Sequence, residues 1–418
     1  MIDKSVLLPV RQQAEWYDRM LKTRLDEVLP EAMRRADLDM WIILCQEDDY
    51  DPIFTTMIRF RTWAPILQIL IFIRDHEEGI LHRINLSMTD QGDLYEKIWN
   101  GTNTAEQWQL LAELVQKHDP QRIGINTGAV QWMAGGLTHN LYQQLVQALP
   151  AKFHTRLVSA ETAAVYWGMT LCEQEIHAYP HVVSLTKDII ADCYNSKKVI
   201  PGYTTVKDLQ WNFWQQVSDC GLQNSFIPFF SIARSEKDQK IFPLTDGVIR
   251  PGDLIHCDVG LRYLGLCSDL QEWAYVRLPG EKDVPEGFKN LFNQLHRLQQ
   301  VFMSEFKAGL DGNTLLNNIL PRARAEGIPG PRIYSHSLGH FLHEPGPLIG
   351  LPWEQQYNSG RGEVTLDYNT VFTMELCIAD SVPEWGGELF RLSEEQDVCF
   401  TKNGCFPLVP LQTEFYLI

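Results

Sequence analysis

The stretch from Gly252 to Val276, GDLIHCDVGLRYLGLCSDLQEWAYV, constrains the fold more than any other part of the chain. Its first half alternates apolar residues with His256 and Asp258, which predicts a β-strand that carries these two polar side chains on one face. A turn that contains glycine leads to a second β-rich run, and this run carries Asp269. The stretch therefore predicts a β-hairpin with one aspartate on each strand.

Asp258 and Asp269 need an explanation, because an acid within an apolar strand is costly unless something pairs with it. Two acids on adjacent strands also repel each other, and a cation between them would remove both costs. The alternative is an edge strand whose solvated face carries two ordinary aspartates, since most acids in proteins are exposed. This stretch alone leaves both interpretations open.

Composition excludes several classes of protein. The formal net charge is −17, from 36 basic and 53 acidic residues, which disfavours a nucleic-acid-binding surface. The longest apolar run, from Ile66 to Ile73, is too short to span a bilayer, and no signal peptide is apparent at the N-terminus. The nine cysteines include no CxxC pair, which is typical of a reducing compartment. We therefore expect a cytoplasmic protein without nucleic-acid or membrane partners.

The length of 418 residues suggests about two to three domains. Residues 1–163 read as an α/β unit, with an amphipathic helical stretch at 10–36 that is interrupted near Pro30 and buried strands at 40–45 and 66–74. No motif in this half carries recognisable chemistry. This half of the chain could shape a pocket or an oligomer interface.

Residues 164–418 read as a second domain with a weak internal repeat. Segments 200–222 and 307–328 each contain a glycine, a leucine seven residues later and a helix-length run that ends at a glycine. Each is followed by short β-like stretches and a hairpin-like region with acids. A duplicated unit would place its two hairpins face to face, although chance similarity remains the alternative.

The repeat would bring four carboxylates toward one axis. The first copy contributes Asp258 and Asp269, and the second contributes Glu375 together with Glu394 or Glu395.

Three histidines lie within the segment YSHSLGHFLHEPG, namely His336, His340 and His343. A histidine beside four carboxylates gives an oxygen-rich site that suits two divalent ions such as Mn²⁺, Co²⁺, Fe²⁺ or Zn²⁺. Two such ions can share a water, lower its pKa and polarise a carbonyl oxygen. Taken alone, an HxxxH pattern is more often surface or core histidines. The nearby acids make us favour the metal.

These motifs resemble those of the creatinase/prolidase/aminopeptidase P group of metallopeptidases, family M24, over about residues 165–418. IRPGDLIHCDVG, with the eleven-residue step from Asp258 to Asp269, matches the two aspartates of the family. VFTMELCI resembles its FTxEPGxY strand, and EQDVCFTKNGC resembles its EDTVLVTxxG strand. The resemblance implies an α+β fold, with a C-terminal pita-bread domain at 164–418 and a creatinase-type α/β N-terminal domain at 1–163.

The resemblance also implies residue roles. It identifies as metal ligands Asp258, Asp269, His336, Glu375 and Glu395. Glu394 fits the register less well, and His340 is the fallback ligand. Glu375 would act as general base and then acid, and His343 would bind the substrate or its transition state.

The chain departs from the family pattern around the substrate. Arg332 stands where the family has a histidine four residues before the metal-binding one, and KIFPLTDG lacks a further family histidine. Ser393 replaces an arginine two residues before the final glutamate. Arg332, His340 and His256 are the candidate substrate contacts, and His256 could supply a missing imidazole or could simply pack in the sheet.

The function implied by the resemblance is hydrolysis of amide bonds by two divalent metal ions, with Mn²⁺ as the expected metal. The substrate would be a small peptide cleaved by an Xaa-Pro peptidase of the aminopeptidase P or prolidase type, and the protein would be a homodimer. One alternative is a metal-dependent hydrolase of another small C–N substrate. Another is a non-catalytic binding module on the same fold.

Overall fold

The computed structural model describes residues 4–76 and 79–418. Contacts divide the chain into two compact units, one of residues 8–172 and one that joins residues 173–418 with the segment ending at Leu7. The boundary predicted from the sequence, at 163/164, lies inside the helix Glu161–Met169.

The unit of residues 8–172 is built on one mixed sheet. Its helices are α1 (Val10–Thr23), α2 (Leu29–Arg35), α3 (Pro52–Thr55), α4 (Thr104–His118), α5 (His139–Ala148) and α6 (Glu161–Met169). Its strands are β1 (Met40–Gln46), β2 (Leu67–Arg74), β3 (Leu81–Asn85), β4 (Glu96–Lys97), β5 (Ile123–Ile125) and β6 (Leu157–Ser159). They lie in the order β4-β3-β2-β1-β5-β6. Strands β1 and β2 are almost entirely buried, as expected of strands covered on both faces.

The interruption expected near Pro30 takes the form of a π-helical turn, Arg24–Val28, between α1 and α2. Proline has no backbone N–H and its ring crowds the preceding helical turn, so a regular hydrogen-bond ladder cannot pass through it. The chain instead forms a wider bond, from the N–H of Leu29 to the carbonyl of Arg24, and continues as α2.

The second unit holds the acids singled out above. Its helices are α7 (Glu173–Cys193), α8 (Val206–Asp219), α9 (Glu236–Gln239), α10 (Glu286–Ser304) and α11 (Gly312–Ala325). Its strands are β7 (Gln223–Asn224), β8 (Phe229–Ala233), β9 (Leu254–Val259), β10 (Leu261–Tyr263), β11 (Leu266–Cys267), β12 (Leu270–Tyr275), β13 (Arg332–Tyr334), β14 (Ser337–Leu338), β15 (Thr370–Val382), β16 (Glu388–Thr401), β17 (Gly404–Pro407) and β18 (Tyr416–Leu417). No helix among the described residues is long and apolar enough to cross a membrane.

The two acidic hairpins lie edge to edge in one sheet, whose main order is β13-β15-β16-β12-β9-β8. The junction is the pairing of Gln271 on β12 with Glu395 on β16. The face-to-face arrangement expected from the repeat is therefore wrong. Strand pairing satisfies backbone groups at the inner edges of both hairpins, and it leaves the acids of both on a common face.

Helix α10 determines which face of the sheet is apolar. Its buried residues recur at helical spacing and include Leu291, Leu295 and Phe302, in the same core cluster as Phe372 and Met374 of β15. Because side chains alternate along a strand, the odd-numbered residues of β15 point to the opposite face. Those residues include Glu375.

Candidate metal centre

A row of cross-strand partners runs across the sheet and contains three acids. Glu375 lies opposite Glu395, Glu395 lies opposite Gln271, and Gln271 lies opposite Asp258. Opposed residues share a face, with Cβ atoms about 4.5–5.5 Å apart. We call this set the acidic row, and from one edge to the other its members are Phe229, Asp258, Gln271, Glu395, Glu375 and Tyr334.

Two further predicted ligands, Asp269 and His336, converge on Glu395 of this row. One ligand atom each of Asp269, His336 and Glu395 lies within 4.8 Å of the others. The distance from His336 Nε2 to Asp269 Oδ2 is 3.8 Å. All three residues are at most 5 % exposed. The structure thus brings together the residue directly before β12, a residue of β16 and a residue from the segment between β13 and β14.

Asp258 and Glu375 belong to the same electrostatic cluster. Their charges raise the pKa of both Asp269 and Glu395, although burial is the larger cause of that rise. Burial also raises the pKa of Asp258 to about 6. The pKa of Glu375 rises to about 7, chiefly through burial and further through the charge of Asp258. Four carboxylates therefore oppose one another's ionisation.

The residues present fit divalent metal ions. Asp269 Oδ1 and Glu395 Oε1 are buried and have no hydrogen-bond partner among the described residues, which is costly unless a cation satisfies them. Carboxylate oxygens with one imidazole are a donor set suited to Mn²⁺ and similar ions.

His336 has the tautomer that a metal ligand needs. Its Nδ1 lies 3.1 Å from the carbonyl oxygen of Ser337, so this nitrogen carries the proton and donates it. The lone pair is then on Nε2, the atom that faces Asp269. Burial, with the charges of His343 and Arg361, lowers the pKa of His336 to about 3, which keeps the ring neutral as ligation requires.

The other two histidines of the segment lie in different surroundings. The His343 ring is 4.4 Å from that of His336 and is half-buried, so it borders the cluster. His340 is buried, and its Nε2 lies 2.6 Å from Glu175 Oε1 on α7.

Glu394 and Glu395 point to opposite faces of β16. Glu394 is fully buried and accepts a hydrogen bond of 2.9 Å from Gln299 of α10. Burial raises its pKa, with a further rise from the charge of Glu272. It therefore lies on the helix side of the sheet.

The remaining predicted residues lie on the face of the acidic row. The His256 Nε2 is 3.0 Å from Gln271 Oε1. Arg332 lies opposite Cys377, two residues along β15 from Glu375, and its buried Nε has no hydrogen-bond partner among the described residues.

Sequence reasoning missed three polar residues at this centre. Gln271 donates to Glu395, and Asp397 accepts from the backbone N–H of Asp269. Each lies two residues from a predicted ligand, so strand periodicity could have identified both. The third is Arg361, whose charge lowers the pKa of His336 and His343, second to burial for His343. It comes from a segment without periodicity, which gave no comparable signal.

Comparison with known proteins identifies the family. The model of metallopeptidase family M24 matches residues 184–401, which is more than half of the chain. The chain belongs to this family. The predicted metallopeptidase class is confirmed, and membership implies the use of divalent metal.

Relatives of this M24 peptidase are similar along most of its length. A putative Xaa-Pro aminopeptidase of Mycoplasma genitalium is 25% identical over 319 residues, which cover 75% of this chain and 82% of the relative. An X-Pro aminopeptidase structure from Thermotoga maritima has a TM-score of 0.66 and 18% identity, with 93% of this chain and 100% of that chain covered. An Xaa-Pro dipeptidase structure from Bacillus anthracis has a TM-score of 0.61 and 17% identity, with coverage of 96% and 100%.

These structural likenesses confirm the predicted fold class, a pita-bread domain preceded by an α/β domain. At such identities they show the fold alone.

The raised pKa values predict how metal and pH together affect stability. Asp258 and Glu375, at about 6 and about 7, exceed the value of about 4 expected in the unfolded chain. In the metal-free protein the folded state favours the protonated forms of these two acids. The stability that this provides is fully present below about pH 4 and is lost as pH rises through 6 and 7. Bound Mn²⁺ would remove that loss, because it binds the ionised carboxylates.

We therefore expect the gap in melting temperature between samples with Mn²⁺ and with EDTA to widen from pH 5 to pH 7.5, as measured by scanning calorimetry. Equal gaps at the two pH values would contradict this assignment of the buried acids.

Proposed function

We propose that this M24 peptidase is an Xaa-Pro peptidase that uses two divalent metal ions, with Mn²⁺ as the expected metal. The observation that carries the proposal is the convergence of Asp269, His336 and Glu395 beside the acidic row. Asp258 and Glu375 complete the proposed ligand set. The Xaa-Pro specificity named for the relatives supports the choice of substrate class.

The proposed chemistry divides between metal and protein. When bound, the ions would polarise the scissile carbonyl and lower the pKa of a water. Glu375 would take a proton from the attacking water on a carboxylate oxygen and deliver it to the leaving nitrogen. Glu375 is placed for this role because it lies opposite Glu395 on the acidic row, beside the proposed ions and the water that they would activate.

His343 is the proposed donor to the substrate. It is half-buried beside His336, and burial followed by the charge of Arg361 lowers its pKa. A neutral imidazole can donate one N–H to the oxygen that becomes negative as water adds. Loss of a donor of this kind typically costs about 10²–10³ in rate.

Arg361 is the proposed contact for the free carboxylate of the substrate. Burial lowers its pKa, while interaction with Tyr334 acts in the opposite direction. It is thus a half-buried cation close to Tyr334, His336 and His343, at the end of the acidic row. A dipeptide bound at the metals would present its C-terminal carboxylate within a few ångström of the scissile bond. This position favours dipeptides over longer peptides.

The proposal assigns the remaining candidates by their surroundings. Arg332, with its buried Nε unpaired among the described residues, would contact substrate. His340 and His256 already face Glu175 and Gln271, so we assign them to support the site. A homodimer rests on the family resemblance alone, and a cytoplasmic location rests on nine free cysteines.

A second candidate function is hydrolysis of another small C–N substrate. It is favoured by the replacement of a family histidine near the substrate by Arg332. Purified protein that binds metal but does not cleave Ala-Pro or Gly-Pro would support this candidate. Protein that binds no metal would support the non-catalytic alternative.

Glu375→Gln tests the function, with Glu394→Gln as its matched control. Both changes replace a glutamate of this sheet whose pKa is raised by burial, but only Glu375 faces the metal centre. We expect Glu375→Gln to lower kcat for Ala-Pro by about 10²–10⁴ and to weaken Mn²⁺ binding, as measured by steady-state kinetics and calorimetric titration. Glu394→Gln should retain both. Wild-type turnover by Glu375→Gln would refute the scheme.

Arg361→Leu tests the preference for dipeptides. Loss of a charge-assisted hydrogen bond costs about 1.5–3 kcal/mol, so KM for Ala-Pro should rise by roughly 10- to 150-fold. KM for the amide Ala-Pro-NH₂, which lacks the carboxylate, should change little. Arg324→Leu, an exposed change on α11, is the control. If Arg361→Leu leaves KM for Ala-Pro as far below KM for Ala-Pro-NH₂ as in the wild type, another residue recognises the carboxylate.

A further inference from the structure

A chain of two hydrogen bonds leads from His256 to the metal centre. His256 Nε2 lies 3.0 Å from Gln271 Oε1, and Gln271 Nε2 lies 2.9 Å from Glu395 Oε2. A single neutral amide therefore joins His256 to Glu395, one of the glutamates proposed to hold the metal ions.

The partners fix the direction of both hydrogen bonds. A carboxylate can only accept, so the amide nitrogen of Gln271 must face Glu395 and its oxygen must face His256. The oxygen accepts, so the proton of His256 lies on Nε2. His256 thereby fixes which way the Gln271 amide points. If the amide were turned over, its oxygen would face a carboxylate and the centre would lose a donor.

The imidazole is itself held in place. Its ring lies against the Trp273 ring, with centroids 4.6 Å apart, and Trp273 meets Phe390 edge to face at 5.7 Å. Gln412 pairs with both the backbone N–H and the carbonyl of Trp273. His256 is therefore supported from behind, and its Nε2 is aimed along the acidic row.

The position of Gln271 explains why an amide is useful there. It lies between Asp258 and Glu395 in the strand register, and its neutral side chain therefore separates two like charges. Its N–H binds Glu395 Oε2 without adding charge. Glu395 Oε1, which has no hydrogen-bond partner among the described residues, is left available for a metal ion.

We propose that His256 and Gln271 are positioning residues that hold the carboxylate of Glu395 in the conformation that binds the metal ions. The inference rests on the proposed function, and it concerns residues that do not themselves bind metal. Hydrogen-bond partners of this kind typically contribute 10–100-fold to metal affinity, because a ligand that can rotate away loses entropy on binding.

The test is Mn²⁺ titration of metal-free protein by calorimetry, with three variants. Gln271→Met keeps the length of the side chain but removes both hydrogen bonds, and it should raise the Kd for Mn²⁺ by about 10- to 100-fold. His256→Leu keeps a buried apolar side chain against Trp273 and should show a smaller rise. His256→Gln supplies an N–H in place of Nε2 and should restore most of the affinity.

Kinetics provide a second measurement. With Ala-Pro at saturating Mn²⁺, Gln271→Met should lower kcat more than it raises KM, because the misplaced group is a metal ligand and not a substrate contact. Ser231→Ala is the control, since Ser231 lies opposite His256 on the neighbouring strand and should leave Kd, kcat and KM unchanged.

The outcomes separate this inference from the function on which it rests. Wild-type protein that binds no divalent metal would overturn both. Wild-type protein that binds Mn²⁺, together with Gln271→Met and His256→Leu of unchanged Kd and kcat, would overturn the positioning role alone. Failure of His256→Gln to bind more tightly than His256→Leu would also overturn it, because packing alone would then explain the effect. Should Gln271→Met not fold, the two His256 variants decide the question.

Discussion

The mutual repulsion of buried carboxylates is the constraint on which the rest of this structure depends. Burial raises the pKa of Asp258, Asp269, Glu375 and Glu395, and the charge of Asp258 raises the pKa of the other three further. In water such a cluster would disperse. Here the sheet holds it together, which is favourable at neutral pH only if cations neutralise it. The repulsion that makes the centre costly to assemble without metal is thus also the source of its affinity for metal ions.

The scaffold creates this cluster through two simple features. Packing of α10 against β15 makes one face of the sheet apolar, so strand alternation directs Glu375 to the other face. Edge-to-edge pairing of the two hairpins then places Glu395 between Glu375 and Gln271 in a single row. Polar neighbours complete the centre, since the Ser337 carbonyl sets the tautomer of His336 and Gln271 fixes one oxygen of Glu395.

Strand periodicity and motif spacing predicted much of this from the sequence. The alternation around Asp258 placed it on a polar strand face, and family spacing preferred His336 over His340 and Glu395 over Glu394, the two residues that the structure brings to Asp269. Periodicity says nothing about which edges pair, so the hairpins were wrongly expected face to face. Arg361 was missed because the position of an aperiodic segment depends on the whole fold. Gln271 and Asp397 were missed because the motifs drew attention to the ligands and away from their neighbours two residues along.

The most direct test of the central claim is a crystal structure of the Mn²⁺-soaked protein, with anomalous diffraction recorded near the manganese absorption edge. We predict two anomalous peaks among Asp258, Asp269, His336, Glu375 and Glu395, with Glu395 Oε2 still bound to Gln271. Anomalous density elsewhere in the chain, or these carboxylates clustered around no ion at saturating Mn²⁺, would contradict it.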